Sequence, residues 1–267
     1  MTARRPSTVT SVPAGIRVLG GLAVAFLTLP LVGLAIRTPW RQVGTLLGDP
    51  VVGQTLRLSL LASLSSLAVA TVLGVPLAWL LARTDFPGRR LVRALAVLPM
   101  VLPPVVGGVA LLLAFGRRGL FGQVLFAATG WSLPFTTLGV IVAETFVAMP
   151  FLIVTVESGL RALDPRFEEA AATLGASRWT ILRTVTLPLI TPSLTAGMAL
   201  CWARALGEFG ATISFAGNLP GRTQTMPLAV YLELESNPAA AYLLSFVLLA
   251  VSIAVLVGMR DRYLGQP

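Results

Sequence analysis

Residue types that many enzymes depend on are scarce or missing in this 267-residue sequence. It contains no lysine and no histidine, and its single cysteine is Cys201. A nucleotide-binding P-loop needs a lysine to reach the β- and γ-phosphates, whereas the usual zinc sites and Ser–His or Cys–His nucleophile pairs need histidine. One cysteine cannot form an intrachain disulfide. We therefore expect a chain that is not an enzyme, has no metal or cofactor, and takes any energy from a partner or a gradient.

Charge is also scarce, because 12% of the residues are charged whereas 55% are hydrophobic. Soluble domains usually carry about twice this charged fraction. Apolar runs longer than ~18 residues recur, which is typical of helical proteins that cross the bilayer several times. The net charge of +9 comes from arginines that lie mostly between these runs, which indicates membrane topology and not nucleic-acid binding. The sequence therefore predicts an all-α membrane protein.

Six segments are predicted to span the membrane. They are residues 18–36, 55–82, 94–115, 138–160, 193–213 and 240–259. The first run exceeds the apolar core of a cleaved signal peptide, and no clear cleavage site follows it, so an uncleaved span is favoured. Pro99, Pro103 and Pro104 predict that the third helix is kinked or broken near its start. We interpret residues 1–267 as one transmembrane domain with a polar tail at residues 1–16.

The distribution of arginines predicts the orientation of the chain. With the N-terminus inside, thirteen arginines lie in inner segments and six in outer segments, and Arg204 lies within a span. Positive residues are enriched on the cytoplasmic side of membrane proteins. Both termini and the loop at residues 164–187 are therefore predicted to be cytoplasmic, and the loop at residues 214–238 is predicted to be outside.

The cytoplasmic loop has the signals of a short, capped helix. Asp164 is a good N-cap, Pro165 suits the first helical position, and Glu168 and Glu169 favour the positive end of the helix dipole. Gly175 suits a left-handed C-terminal cap.

A second short helix is predicted to follow this cap. Ser177 would cap its start and Pro188 would end it, and Thr191-Pro192 would restart the chain into the fifth span. Ala170, Ala171 and Ala172 have little bulk, so the first helix could fit a groove on another protein. The alternative is an amphipathic helix that lies on the membrane surface.

The fifth span carries two charges on one side of the predicted helix. Small residues recur every four positions at Ala199, Ala203, Gly207 and Ala211, which suits close helix packing. A neighbouring stripe contains Leu200, Arg204, Glu208 and Thr212. Arg204 and Glu208 either neutralise each other in a structural pair, or Arg204 also lowers the barrier for an anion while Glu208 weakens its binding.

The loop also contains a recognisable motif. Glu169-Ala170-Ala171, three residues, Gly175, nine residues and Val185-Thr186-Leu187-Pro188 follow the pattern EAA-x3-G-x9-I-x-L-P, with valine in place of isoleucine. This loop resembles the EAA loop of ABC-importer permeases. The resemblance implies a type I importer fold in which the loop inserts a coupling helix into a cleft of a cytoplasmic ATPase. It assigns the coupling role to Asp164, Glu168, Glu169, Ala170, Ala171, Gly175 and Arg178.

Further stretches resemble the oxyanion-transporting members of these permeases, and the molybdate permeases most. They are residues 204–212, 216–218, 220–225 and 227–231, together with residues 102–107 of the third span. The resemblance implies that the third and fifth spans line a translocation path between two permease subunits, with candidate residues Pro103, Pro104, Arg204, Glu208 and Thr212. It implies that the outer loop, including Asn218 and Arg222, contacts a substrate-binding protein.

The resemblance implies the permease of an ATP-driven molybdate importer in the bacterial plasma membrane. Its partners would be a second copy of the chain, two ATPase subunits, an external oxyanion-binding protein and the lipid bilayer, without nucleic acid. Sulfate, thiosulfate or tungstate are alternative substrates. A gradient-driven transporter that uses Glu144, Arg204 and Glu208 as a relay is a different class, which the capped cytoplasmic helix disfavours. A membrane-embedded enzyme is disfavoured by the missing residue types.

Overall fold

The computed structural model describes residues 13–264, which contain helices and no β-strand. The predicted polar tail lies mostly outside the described residues. The helices are α1 (Ala14–Arg37), α2 (Val43–Leu47), α3 (Pro50–Arg83), α4 (Arg89–Val101), α5 (Pro104–Phe115), α6 (Gly122–Thr129), α7 (Thr137–Ala162), α8 (Arg166–Thr173), α9 (Arg178–Ile181), α10 (Leu187–Leu206), α11 (Gly210–Phe215), α12 (Met226–Ser236) and α13 (Pro238–Leu264). A π-helical turn, Leu182–Thr186, joins α9 to α10.

Within residues 13–264, five helical segments are long and apolar enough to cross a membrane. They are Ala14–Arg37, Pro50–Arg83, Thr137–Ala162, Arg178–Leu206 and Pro238–Val255. The predicted third span is broken, as its prolines indicate, into α4 and α5. Leu102 and Pro103 are extended at the break, with ψ angles of 134° and 131°. Each of the two precedes a proline, and a following proline disfavours helical backbone.

The fifth span differs from the prediction at its outer end. Helix α10 ends at Leu206, and α11 begins only at Gly210. The expected uninterrupted helix over residues 193–213 is therefore wrong, and the small residues Gly207 and Ala211 do not continue the stripe of Ala199 and Ala203 along one helix. The backbone can leave the helix here because the Glu208 side chain accepts a hydrogen bond from the Ala211 amide, which replaces part of the lost helical hydrogen bonding.

The start of the fifth span also differs from the prediction. The helix does not stop at Pro188 and restart at Thr191-Pro192, because α9, the π turn and α10 run together from Arg178 to Leu206. The amide of Leu187 bonds to the carbonyl of Leu182, five residues earlier. Such π adjustments let a membrane helix contain proline. Helix α9, the π turn and α10 consequently form one continuous helical segment.

Helix α7 packs against α3 and α10 and forms the centre of the fold. The buried face of α3 consists mainly of small residues, which allows the two backbones to come close. These buried residues are Thr55, Ser59, Ala62, Ser63, Ser66, Ala70, Gly74, Ala78 and Leu81. Helix α7 contributes larger side chains such as Leu152, Ile153, Val156 and Leu160. Helix α1, by contrast, has no buried residue.

The predicted outer loop at residues 214–238 is not a plain loop, because α12 occupies Met226–Ser236. The amide of Met226 donates a 2.7 Å hydrogen bond to the hydroxyl of Ser59 on α3. Met226, Leu228 and Ala229 are buried, so apolar contact adds to this anchoring. The apolar side chains of residues 226–236 were a signal for a helix, which the sequence prediction missed.

Candidate functional site

The EAA segment, residues 164–187, begins with the capped helix that the sequence predicts. The Asp164 carboxylate accepts a 3.0 Å hydrogen bond from the Arg166 amide. Helix α8 starts at Arg166, one residue later than expected, with Pro165 at the cap position. Glu168 and Glu169 lie in its first turn, where carboxylates interact favourably with the helix dipole.

The end of α8 is locked by a left-handed glycine. Gly175 has φ +83°, a conformation that costs a residue with a Cβ atom more energy than glycine. Its amide donates to the Ala172 carbonyl at 3.0 Å, and the Ala176 amide donates to Ala171 at 3.1 Å, which is a Schellman cap. The Ser177 hydroxyl then accepts from the Thr180 amide at 3.2 Å. The predicted caps at Gly175 and Ser177 are confirmed, whereas the predicted N-cap residue Asp164 lies one position before the cap. The two confirmed caps make α8 and α9 a defined helix–turn–helix.

Glu168 connects this helix–turn–helix to the membrane helices. Its carboxylate lies 3.4 Å from Nη2 of Arg83 at the end of α3 and accepts a 2.6 Å hydrogen bond from the Thr186 hydroxyl in the π turn. The Glu168 side chain is 23% exposed. The sequence assigned Glu168 to a partner contact, whereas in the structure it ties three segments of this chain together. No local sequence signal could have identified Arg83 and Thr186 as its partners.

Large apolar side chains are exposed on the outer surface of the EAA segment. Phe167, Leu174 and Trp179 are 56%, 88% and 64% exposed. Beside them is a groove of about 670 Å³, lined by Trp79, Glu168, Glu169, Ala172, Arg178, Trp179, Ile181, Leu182 and Thr186. Exposed apolar residues with a polar rim indicate a contact surface. Sequence reasoning missed Phe167 and Leu174, although apolar residues in an otherwise polar helix were the available signal.

The breaks in the third and fifth spans lie against each other. A Cβ atom on Gly210, at the start of α11, would lie 2.7 Å from Cβ of Pro104 and 3.2 Å from the amide nitrogen of Val105. One on Gly108 would lie 2.5 Å from Cβ of Ser214. Glycine is therefore required for α5 and α11 to pack this closely. Broken helices persist in a membrane where neighbouring protein or water satisfies their backbone.

Glu208 bridges the break in the fifth span. Its Oε1 accepts a 2.7 Å hydrogen bond from the Ala211 amide in α11, and its Oε2 lies 2.6 Å from Nη2 of Arg204 in α10. Glu208 is 1% exposed, whereas 27% of the Arg204 side chain is exposed. The predicted Arg204–Glu208 pair is confirmed. It leaves one partly exposed guanidinium beside the helix break, with its charge compensated by a buried carboxylate.

The other path candidates divide into exposed and buried residues. Pro103 and Pro104 are exposed beside the break. Thr212 is fully buried, and its hydroxyl has no hydrogen-bond partner among the described residues. The expectation that Thr212 lines an open path is therefore not met in this single chain, because α11 turns that side chain inward. Glu144 on α7 is also buried, so it lies on no exposed relay.

The outer loop is more tightly folded than predicted. The Leu219 carbonyl accepts hydrogen bonds from the amides of Arg222, Thr223 and Gln224. Thr223, Gln224 and Thr225 are buried, and the Asn218 Oδ1 atom is buried without a partner among the described residues. Of the predicted docking residues, Arg222 is exposed and Asn218 is half-buried. The accessible part of this loop is consequently residues 219–222.

Comparisons with known proteins agree with these features. Residues 74–265 match the family described as the inner membrane component of binding-protein-dependent transport systems. The molybdenum transport system permease protein of Mycobacterium tuberculosis is 43% identical over 253 residues, which cover 95% of this chain and 96% of that protein. The chain belongs to this family. It is therefore an integral membrane permease of the ABC-importer type, and both candidate sites lie within the matched region.

Two further comparisons concern a sulfate permease and a solved structure. The sulfate transport system permease protein of Salmonella typhimurium is 40% identical over 239 residues, covering 88% of this chain and 86% of that protein. A solved bacterial ABC transporter that imports the polysaccharide alginate has a TM-score of 0.73 at 17% identity, with 93% of both chains covered. The second likeness confirms the type I importer fold.

Replacing Glu168 tests whether it holds the EAA segment in place. Glu168→Gln keeps a hydrogen-bond acceptor for Thr186 but removes the charge that pairs with Arg83. We expect the opening free energy of α8 to fall by about 0.5–1 kcal/mol, so its amides should exchange roughly two- to fivefold faster in hydrogen–deuterium exchange. Glu169→Gln is the matched control, because Glu169 is exposed in the same turn. Equal exchange in both variants would show that Glu168 is not a structural tie.

Proposed function

We propose that this chain is the permease subunit of an ATP-driven molybdate importer. The observation that carries the proposal is its 43% identity, over 95% of its length, to a molybdenum transport system permease. The chain would not catalyse a reaction, since it lacks lysine and histidine and a partner ATPase would hydrolyse the nucleotide. The similar sulfate permease makes sulfate the competing substrate. Tungstate resembles molybdate in charge and shape and would be carried as well.

The proposed assembly contains two copies of the permease, two cytoplasmic ATPase subunits and an external oxyanion-binding protein. Both termini and the EAA segment would lie in the cytoplasm, which the arginine distribution supports. The exposed Phe167, Leu174 and Trp179 would enter the ATPase cleft, and the charges of Glu169 and Arg178 would fix the orientation. On the opposite side, the accessible residues 219–222 would contact the binding protein.

The proposed mechanism is alternating access driven from the EAA segment. ATP-dependent closure of the ATPases would draw the two copies of α8 together. The helix from Arg178 to Leu206 is continuous, so displacement at its inner end would be carried to the break at Gly207. The path between the subunits would then open outward to the loaded binding protein, and hydrolysis would return it to the inward-facing state.

Arg204 would contact the anion only weakly during passage. Its charge is compensated by Glu208, and a pore must release each anion as readily as it accepts it. An uncompensated arginine in a low-dielectric path would hold a dianion too tightly. The compensated pair therefore suits transient contact with a passing anion better than tight binding of it.

The substrate proposal is tested with the complete importer in proteoliposomes. We expect ATP-dependent uptake of labelled molybdate that requires the binding protein and is inhibited by tungstate but not by a tenfold excess of sulfate. Omitting the ATPase should abolish uptake, because the permease has no energy source of its own. Preferential uptake of sulfate would reassign the substrate, and uptake without the ATPase would contradict the importer mechanism.

The role of Arg204 is tested with a charge-neutral pair, Arg204→Met with Glu208→Gln. A single Arg204→Met change leaves a buried carboxylate without its ion-pair partner, at a cost of about 3–5 kcal/mol. Reduced uptake by this single variant could therefore result from impaired folding as well as from impaired transport. In the double variant the side-chain amide oxygen introduced by Glu208→Gln can still accept from the Ala211 amide. We expect normal association with the ATPase and at least tenfold slower molybdate uptake. Wild-type uptake by the assembled double variant would show that the pair is purely structural.

A further inference from the structure

A second basic feature lies away from the EAA groove and the helix breaks. It is an open cavity of about 470 Å³ where the end of α3, the start of α4 and the end of α7 meet. We refer to it as the arginine pocket. Its lining residues are Asp85, Phe86, Gly88, Arg89, Arg90, Arg93 and Arg161. Neither the proposed coupling nor the proposed passage of an anion through the helix breaks uses these side chains.

Three of the arginines are fixed by a shared acceptor. The last turn of α3 offers the Leu81 carbonyl, which accepts hydrogen bonds from Arg89 Nε at 3.0 Å, Arg93 Nη2 at 3.2 Å and Arg161 Nη2 at 3.1 Å. The buried Glu157 carboxylate accepts from both Arg93 and Arg161. These contacts hold three guanidinium groups close together in preset orientations, which reduces the entropy lost when they bind a ligand.

The arginines keep N–H groups that no described residue accepts. The Nη1 atoms of Arg93 and Arg161 make no hydrogen bond among residues 13–264. Arg90 is exposed and has no ion-pair or hydrogen-bond partner in the same range. Guanidinium groups bind the oxygens of tetrahedral oxyanions such as phosphate through paired N–H donors. The pocket therefore offers donors from three arginines to one small anion.

The pocket carries an excess of two positive charges, because its four arginines are paired with two carboxylates. Asp85 pairs with Arg89, and Glu157 pairs with Arg93 and Arg161. The Asp85 side chain is 96% exposed, so water and salt screen its charge. A cleft that is lined mainly by one sign of charge concentrates counter-ions. One dianion would balance the remaining charge.

The start of α4 adds to the attraction for an anion. Arg89 and Arg90 lie in the first turn of α4, which contains no acidic residue. The N-terminal end of a helix carries a partial positive charge, so arginines are unfavourable there and anions are favourable. An anion in the pocket would offset this repulsion at the same time as it binds the guanidinium groups.

The lining of the pocket favours a small ion over a protein partner. Five of the seven lining residues are charged, and Phe86 is the only large apolar one. The EAA segment differs, because it exposes Phe167, Leu174 and Trp179, and the centre of a protein interface is usually apolar. We propose that the arginine pocket is a binding site for a tetrahedral, doubly charged oxyanion on the side of the membrane where the EAA segment lies.

The position of the pocket indicates which anion would reach it. Arg83, two residues before Asp85, pairs with Glu168, so the pocket and the EAA segment lie at the same end of the helices. Helix α4 is the inner part of the broken third span, along which the path is expected to run. An imported oxyanion would therefore be released near the pocket. This role rests on the proposed function, whereas the binding itself rests on the arginines alone.

Binding is measured by equilibrium dialysis of the full-length permease in phosphatidylcholine nanodiscs, with labelled molybdate and labelled sulfate as probes. We expect saturable binding of both dianions, weakened about fivefold by Arg90→Gln and less by Arg90→Lys. Asp85→Asn should strengthen binding about twofold, because it removes a screened negative charge at the rim. Perchlorate, which has the same shape but one charge, should compete poorly. Arg222→Gln, at an exposed arginine outside the pocket, is the matched control.

The same measurements separate this proposal from the proposed function. The double variant Arg204→Met with Glu208→Gln, which should slow uptake, should still bind the dianions. Loss of binding in the double variant would place the anion at the helix break and overturn the pocket proposal. Normal uptake by the wild-type importer without any binding by the permease would overturn the pocket proposal alone. Binding that responds to Arg90→Gln would support the pocket even if the importer carried no molybdate.

Three further outcomes would overturn the proposal. One is unchanged binding in Arg90→Gln, which would place the anion elsewhere. Another is equal competition by perchlorate, because the arginines would then attract any anion without forming a site for a dianion. The third is the absence of anion binding together with loss of ATPase co-purification in Arg90→Gln, which would make the pocket a contact with the ATPase.

Discussion

The carboxylate of Glu208 makes the interaction on which the broken fifth span depends. It is almost wholly buried, and it joins Arg204 at the end of α10 to the Ala211 amide at the start of α11. Irregular backbone and unpaired charge are both costly in a membrane protein, and this side chain offsets both costs at one point. Close packing of α5 on α11 through Gly108 and Gly210 supplies the rest of the support. The result is an interruption whose two sides are joined by a hydrogen bond, an ion pair and close packing.

A continuous helix connects this interruption to the EAA segment. The caps of the EAA segment at Gly175 and Ser177 fix the angle between α8 and α9, and α9 continues through a π turn into α10. Glu168 ties α8 to α3 through Arg83 and to the π turn through Thr186. A force applied to α8 would therefore reach the membrane helices through two routes. That arrangement suits the proposed coupling between a partner ATPase and the helix breaks.

Local sequence rules predicted the parts of this structure that depend on neighbouring residues. The caps of α8 and α9, the break at Pro103 and the pairing of Arg204 with Glu208 all follow from contacts within four residues. The EAA motif identified the family. These features needed no knowledge of the tertiary structure.

The features that sequence missed depend on distant contacts. Packing of α5 against α11 supports the break at Gly207, and Glu168 contacts Arg83, which lies 85 residues earlier in the sequence. Pro188 was predicted to end one helix and Thr191-Pro192 to start the next. Instead a π turn before Pro188 keeps the helix continuous, and α10 packs against α7. Residues 226–236 were assigned to a loop although they form α12, which is anchored to Ser59.

Transmission from the EAA segment to the helix break can be measured directly by distances between spin labels. Labels at Thr173 in α8 and at Leu219 just beyond α11, in a Cys201→Ser background, would report both ends of the moving unit in the assembled importer. On ATP binding, the distance between the two copies should shorten at Thr173 and lengthen at Leu219, in the same fraction of molecules. Shortening at Thr173 with no change at Leu219 would contradict a rigid connection between the two sites.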